Sequence, residues 1–208
     1  MKKKIAMLKT LGHLPDRSPE KGTSLIIVIM IMSFMLILGL ALITVTSTGS
    51  KVAGNIRSQQ QAFNAAEAGF DTAWMAIEED FASGTWSSFE GHYLKDPLGI
   101  DDPSSENYYF RGLNDDEILN LIDPGSDGVA DLDNVLYYQE PYMAEKGGSL
   151  DSRYTYTVFL IDDESGTGTT DSTDALMVCI GCVKVGNRIL STSRLEVLLV
   201  SLVPGSKT

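Results

Sequence analysis

Residues 25–45, LIIVIMIMSFMLILGLALITV, contain no Asp, Glu, Lys, Arg, His, Asn or Gln. A helix of about 20 residues rises roughly 30 Å, which is the thickness of the hydrocarbon core of a bilayer. An ionised side chain at the bilayer centre costs several kcal/mol, and this run has none. Because helices of soluble domains usually keep a polar face, the run predicts a transmembrane helix rather than a buried core helix.

The segment before this run is mainly basic. Residues 1–22 carry six Lys and Arg residues against two acidic ones. Positive charge beside a span marks the cytoplasmic side, so we expect the rest of the chain to lie across the membrane. An ordinary secretory signal peptide has a shorter apolar region followed by an A-x-A type site, whereas TSTGS follows here at residues 46–50. The basic segment ends instead in Gly22, directly before Thr23 and the apolar run.

The basic leader, Gly22, the apolar run and the small-residue continuation together resemble a type IV prepilin. Farther along, residues 52–57 (VAGNIR) and 61–69 (QAFNAAEAG) resemble the amino-terminal domain of PilX-type minor pilins, whose pattern is close to AGN-x-R-x-x-Q-x-AF-x-AAEAG. The resemblance covers about residues 22–81. The residues assigned to this helix-packing motif are Ala53, Gly54, Asn55, Arg57, Gln61, Phe63, Ala65, Ala66 and Glu67.

The resemblance implies that prepilin peptidase cuts between Gly22 and Thr23. It also exposes a departure at Ile27, the fifth mature position, where most major pilins carry a Glu that meets the amino-terminal ammonium of a neighbouring subunit. An uncompensated ammonium among apolar helices costs several kcal/mol. A subunit without this Glu is therefore expected at a filament tip, with no subunit ahead of it. The alternative is that Ile27 is one more lipid-facing residue.

The fold implied by the resemblance is α+β and type IV pilin-like. A long amino-terminal helix, transmembrane and then amphipathic, packs on a carboxy-terminal antiparallel β-sheet. The expected divisions are a cleaved leader at 1–22, the transmembrane half of the helix at 23–45, its periplasmic half at 46–81, and a globular head at 82–208 with variable loops at 82–150 and the sheet at 153–203.

The periplasmic half is rich in Ala and free of Pro, as a helix requires. An apolar stripe at helical spacing is expected to pack on the sheet. Its members are Ile56, Phe63, Phe70, Trp74 and Ile77. On this helix Glu67 either pairs with Arg57 of a neighbouring helix or is solvated.

Three glycines, Gly39, Gly49 and Gly54, weaken the long helix by up to about 1 kcal/mol each relative to Ala. We therefore expect residues 39–54 to unwind locally in an assembled filament. Major pilins melt here around a Pro at the twenty-second mature position, where this chain has Thr44.

The head combines short elements with longer strands. Residues 107–111 and 134–139 predict short strands, and Asn114 with Glu117 forms a capping box that predicts a helix start. Long strands are predicted at 154–161, 175–185 and 188–203, with Gly186 and Asn187 as a two-residue hairpin turn. The polar segment 162–174 links two of these strands.

Two cysteines, Cys179 and Cys182, form a C-x-x-C sequence. On a regular strand such residues point to opposite faces with Cα atoms roughly 10 Å apart, beyond the roughly 7 Å limit for a disulfide. A bulge at Gly181 would bring them together. A disulfide, two separate buried thiols, and a metal or redox site are the alternatives.

An acidic stretch offers a weak calcium candidate at Asp123, Asp127, Asp131 and Asp133. It does not fit an EF-hand, because Gly125 and Asn134 stand where a ligand and a Glu are required. A solvated acidic turn is the default, so no cofactor is expected, with calcium as the alternative. The chain has no G-x-S-x-G nucleophile elbow, and we expect no catalysis.

The net charge of the chain excludes one class of function. Loss of residues 1–22 would remove six of 16 basic and two of 28 acidic residues, leaving 10 against 26 and a net charge of −16. Such a surface argues against nucleic acid. The resemblance implies a minor pilin that primes or caps type IV pilus assembly. The alternatives are a minor pseudopilin of type II secretion and a signal-anchored periplasmic binding or adhesion module.

The same resemblance implies the location and the partners. The chain would cross the inner membrane once, with a cytoplasmic amino terminus before cleavage and a periplasmic head, and then enter the filament near its tip. The expected partners are other minor and major pilins, prepilin peptidase, the inner-membrane assembly platform, a tip adhesin and the lipid bilayer.

Overall fold

The computed structural model describes residues 23–95, 99–105, 107–143, 148–162, 173–186 and 188–200. The described elements are α1 (Thr23–Ser83), α2 (Asp115–Ile122), β1 (Val135–Pro141), β2 (Tyr154–Ile161), β3 (Asp174–Val185) and β4 (Arg188–Val200). The strands form one antiparallel sheet in the order β1-β2-β3-β4. The predicted α+β fold, with a long amino-terminal helix packed on a carboxy-terminal antiparallel sheet, is confirmed.

The chain forms two compact units, one ending at Ser50 and one beginning at Lys51. In the first unit the described residues are helical throughout, and their apolar side chains are exposed. Hydroxyls of this stretch donate hydrogen bonds to the carbonyl four residues earlier, which satisfies them within the helix. These residues are Ser33, Thr44, Thr46 and Thr48. With a window of mean hydropathy 3.1, the helix is long and apolar enough to cross a membrane.

In the second unit, small residues of α1 form its contact with the sheet. The buried positions follow one another at helical spacing, namely Ala62, Ala65, Ala66, Gly69, Ala73 and Ile77. Of these, Ala66, Ala73 and Ile77 belong to a core cluster with Tyr156, Val158, Met177 and Cys179 on one face of the sheet. Side chains this small let the helix lie close to the strands.

The predicted apolar stripe is therefore only partly correct. Ile77 is buried and Phe70 is partly buried against the core, but Ile56, Phe63 and Trp74 are exposed. Both the aromatic residues and the small residues of α1 recur at helical spacing. Because the helix lies close to the sheet, the small residues are the ones that face it.

The other face of the sheet is covered by α2 and by the segment before it. Buried side chains from both, Leu94, Ile100, Phe110, Ile118, Leu119 and Ile122, pack on Phe159, Ile161, Leu176, Val178, Ile180 and Cys182. Strands β2 and β3 are consequently buried on both faces for most of their length.

The strand predicted at 107–111 is wrong. These residues form turns, with Phe110 N–H donating to the Ile100 carbonyl at 2.8 Å and Gly112 N–H to the Tyr109 carbonyl at 2.8 Å. Phe110 is fully buried. A run of aromatic residues here fills the core from a turn instead of pairing with a neighbouring strand.

The remaining elements lie close to their predicted positions. β2 has the predicted bounds, and β3 begins one residue earlier than predicted. β3 ends at Val185 and pairs there with Arg188, so the connection has two residues, of which Gly186 has φ +60°. Asn187, residues 201–203 of the last predicted strand and most of the 162–174 link lie outside the described residues.

The predicted capping box is confirmed at the start of α2. The Asn114 side chain accepts a hydrogen bond from Glu117 N–H at 3.0 Å, and the Glu117 carboxylate accepts one from Asn114 N–H at 2.8 Å. The short strand predicted at 134–139 is β1, whose pairing with β2 is irregular at two points.

Candidate functional site

The apolar face of the first unit is the largest candidate site. Gly22 lies outside the described residues, whereas Thr23 is the first residue of α1. Ile27 is 56% exposed, and its apolar neighbours through Val45 are exposed to a similar degree. Contiguous apolar surface on this scale indicates contact with a membrane or with another protein. Its burial is favourable by about 25 cal/mol for each Å² removed from water.

The helix-packing motif is divided between two sides of α1. Ala65 and Ala66 are buried against the sheet. The other motif residues, Ala53, Gly54, Asn55, Arg57, Phe63 and Glu67, are exposed, and Gln61 is half-buried. The Gln61 amide donates to the Tyr154 hydroxyl at 3.4 Å. The motif thus joins α1 to its own sheet and also leaves a second face uncovered.

The uncovered face of α1 is aromatic. Phe63, Glu67, Phe70 and Trp74 follow one another at three and four residues and therefore share a face. Phe63 and Trp74 are 42% and 44% exposed, and the Phe70 and Trp74 rings stack with centroids 6.4 Å apart. Within the described part of the chain neither Arg57 nor Glu67 forms an ion pair. Pairing of these residues between helices stays a prediction.

Two glycines fix the contact between helix and sheet, namely Gly181 of β3 and Gly69 of α1, which is the last residue of the AAEAG part of the pattern. A Cβ atom on Gly181 would overlap the Ala62 carbonyl oxygen and the Ala66 nitrogen. A Cβ atom on Gly69 would lie 2.9 Å from the Tyr156 ring. The sequence signal for Gly181 was a glycine inside an otherwise β-branched and aliphatic run, which indicates either a bulge or close backbone contact. The β2–β3 pairing is regular there, so the reason is close contact.

The two cysteines lie on opposite faces of β3. Cys179 packs on the side of α1, and Cys182 packs on the side of α2. Both are buried and unbonded, and burial raises the pKa of each thiol to about 12. The geometry is that of two separate buried thiols, because no bulge turns the side chains toward each other. Such thiols are protonated and unreactive at neutral pH.

In the acidic loop that begins at Asp123, the Asp123 carboxylate accepts hydrogen bonds from the loop backbone. Asp123 is buried and accepts hydrogen bonds from Asp127 N–H at 3.2 Å, Gly128 N–H at 3.0 Å and the Tyr138 hydroxyl at 3.0 Å. Burial alone would raise the pKa of Asp123, but these hydrogen bonds outweigh it and lower the pKa.

The other three calcium candidates do not gather around Asp123. Asp127, Asp131 and Asp133 are exposed. Among the residues that the structure describes, no three His, Cys, Asp or Glu side chains are placed to hold a metal ion together.

In comparisons with known proteins, the part of the chain that matches a protein family lies mostly in α1. Residues 21–71 match the family model described as PilX N-terminal. No curated protein and no solved structure matches the chain. PilX pilins are in general structural and non-catalytic, and they are components of type IV pili. The matched residues 21–71 include the motif at 53–69 and the exposed apolar run of α1, and this part of the chain is similar to the amino-terminal domain of PilX-type pilins.

Proposed function

We propose that the protein is a minor pilin that primes or caps the assembly of a type IV pilus, without catalysis and without a cofactor. The observation that carries the proposal is the exposed apolar run of α1 within the segment that matches the PilX amino-terminal domain. A helix of this kind must be covered, first by lipid and later by the helices of other pilins. Coverage by other subunits is the physical basis of filament assembly.

The step from lipid to filament needs no new chemistry. Lipid tails and apolar side chains are similar solvents, so helices associate in the membrane through close packing and not through further removal of water. Ile27 brings no charge into such a bundle. The same residue offers no carboxylate to the ammonium of a neighbouring subunit, which favours a place at the tip over repeated positions in the shaft.

The second unit supplies further surface for partners. The exposed aromatic face of α1, with Phe63 and Trp74, is suited to packing against the helices of other minor and major pilins. The head is acidic and remains solvated. Prepilin peptidase, the inner-membrane assembly platform and a tip adhesin complete the proposed partners. The chain would be held in the inner membrane with its head in the periplasm before it enters the filament.

Processing is the test of this proposal. In cells that contain prepilin peptidase, the mature protein should begin at Thr23 and should co-purify from detergent with other pilin-like proteins. Gly22→Leu should leave the longer species, whereas Gly12→Leu in the same leader should be cleaved normally. Deletion of the protein should lower the number of surface pili.

The alternatives give different results. A native protein that still begins at Met1 and purifies without pilin partners would refute the proposal and would indicate an anchored binding module. Normal piliation after deletion, combined with loss of protein secretion, would indicate a pseudopilin.

A further inference from the structure

A polar cleft opens on the second unit, away from α1. It has a volume of about 810 Å³ and lies between α2 with its following loop, β1, and the β3–β4 hairpin. Its lining includes Asp116, Asn120, Tyr138, Gln139, Lys184 and Arg188. Small-molecule sites usually occupy about 300–1,000 Å³. We propose that this cleft binds a small ligand with one carboxylate and several hydroxyl groups, the chemistry of a uronic acid sugar, and that Lys184 and Arg188 receive the carboxylate.

Two cations of the cleft, Lys184 and Arg188, differ from the arginines elsewhere in the head in their ion pairing. Arg111, Arg153 and Arg194 each meet a carboxylate of the head. Lys184 and Arg188 meet none among the residues that the structure describes, although the chain as a whole is strongly acidic.

The lack of an ion pair matters most for Lys184, because its side chain is partly removed from water. Its side chain is half-buried, and its ammonium donates to the neutral Gln139 side-chain oxygen. Burial lowers the pKa of Lys184, and the nearby charge of Asp123 offsets this effect only in part. A bound carboxylate would supply that charge through a charge-assisted hydrogen bond.

Side-chain hydrogen bonds hold the residues behind Lys184 in place without a ligand. The Gln139 amide nitrogen donates to the Tyr138 hydroxyl at 2.7 Å, and that hydroxyl donates to Asp123 at 3.0 Å. Asp123 is occupied by these hydrogen bonds and by those of its own loop. It forms no ion pair with Lys184.

Backbone strain is located at the same point. Gln139 has φ +50°, a left-handed conformation that is uncommon for residues other than glycine. It lies at an irregularity in the β1–β2 pairing, and its N–H donates to the Thr157 hydroxyl at 3.1 Å. Strained residues that the surrounding fold holds in place tend to occur at ligand sites.

The remaining lining residues of the cleft select among possible ligands. Asp116, Asn120 and Asp127 also line the cleft and provide acceptors for hydroxyl groups. Their carboxylates would repel a ligand with several negative charges, so a phosphate or a dense polyanion fits poorly. A single carboxylate flanked by hydroxyls satisfies both kinds of lining. The inference uses only the second unit and does not depend on pilus assembly.

The test is calorimetric titration of the full chain in detergent with galacturonate and with trigalacturonate. Galactose and inorganic phosphate serve as comparison ligands. Galacturonate should bind, and trigalacturonate should bind more weakly, because its two further carboxylates would be repelled by the aspartates of the lining. Lys184→Gln should weaken binding about 10-fold or more, because loss of a charged partner from a partly buried pair is strongly unfavourable.

The control variant is Lys95→Gln, which removes an exposed cation outside the cleft and should leave binding unchanged. Arg188→Gln changes an exposed residue and keeps the test valid if Lys184→Gln fails to fold. Three results would overturn the proposal: no binding of either acidic sugar at millimolar concentration, equal or tighter binding of galactose or phosphate, or binding that neither cleft variant weakens. These results would leave the processing of residues 1–22 untouched, so the two proposals can fail separately.

Discussion

Gly181 lies where the backbone of β3 meets α1. Its lack of a side chain and the methyl groups of Ala62, Ala65 and Ala66 allow the helix and the strand to pack closely. The neighbouring residues Cys179 and Cys182 point to opposite sides of the same strand. Residues three apart on a strand face opposite sides of the sheet. The two cysteines of the C-x-x-C sequence therefore pack separately, on either side of Gly181, and do not act as a pair.

Gly181→Ala should destabilise the second unit. The added methyl would overlap main-chain atoms of α1, and main chain cannot rotate away as a flexible side chain can. Overpacking of this kind costs about 1–3 kcal/mol. Thermal unfolding in detergent should show a Tm lower by several degrees. Gly54→Ala is the matched control, because nothing lies within 4 Å of that position and Ala is the better helix former. An unchanged Tm in Gly181→Ala would contradict the close contact.

Asp123 makes the stability of the head depend on pH. Its pKa in the folded state is below the usual value of 3.8, so its contribution is complete above that value and is lost as the pH falls through the folded pKa. Asp123→Asn should lower the Tm at pH 7, and the difference from the native protein should shrink near pH 3. Asp133→Asn, in the same loop but exposed, should change little at either pH. A difference in Tm that stays constant with pH would rule out the charge of Asp123 as the cause.

At the scale of elements, the sequence predicted the positions of helices and strands well. It predicted less well which face of a helix is buried. The capping box of α2, the bounds of β2 and the two-residue connection before β4 follow from local chemistry and were correct. The buried face of α1 was not predictable from periodicity, since large and small apolar residues recur with the same spacing. Packing distance decides between them, and that distance depends on Gly181, far away in sequence.

In the less regular segments of the head, too, the sequence alone did not predict the local structure. Phe110 lies in an aromatic run typical of a strand, yet its N–H bonds to Ile100 in a turn. The left-handed conformation of Gln139, which supports the proposed ligand cleft, has no signal in the residue type. Both features are set by what covers the sheet, and tertiary contacts of this kind override local propensity.

Local unwinding of α1 in the filament is a prediction about this element. A Cβ atom added at Gly39, Gly49 or Gly54 would meet nothing within 4 Å beyond the neighbouring helix backbone, and residues 39–54 are helical in the structure. In assembled filaments, hydrogen exchange should be faster across 39–54 than in the flanking turns. Replacing all three glycines by Ala should stabilise the helix by up to about 3 kcal/mol and slow the exchange. Uniform protection across 39–54 in filaments of the native sequence would refute the prediction.

At the scale of the whole molecule, the chain combines surfaces that suit different surroundings. The apolar run of the first unit favours lipid or other helices, and the acidic head of the second favours water. The small residues that join α1 to the sheet use one side of the helix and leave Phe63 and Trp74 exposed. In the proposed function, a head with its own two-sided core would keep its shape while α1 exchanged lipid for other subunits.

Ile27 is where the proposed tip position can be tested in the intact protein. With Ile at this place, the subunit has no carboxylate for the ammonium of a subunit beside it, and burial of an unpaired ammonium costs several kcal/mol. Immunogold labelling of native filaments should therefore find the protein at tips. Ile27→Glu supplies the missing carboxylate and should increase the number of copies, with label appearing along the shaft. Ile27→Gln is the control, since it adds polarity without charge and should leave the label at tips. Label spread along the shaft by the native protein, or by the Gln variant as much as by the Glu variant, would show that charge at this residue does not decide where the subunit is placed.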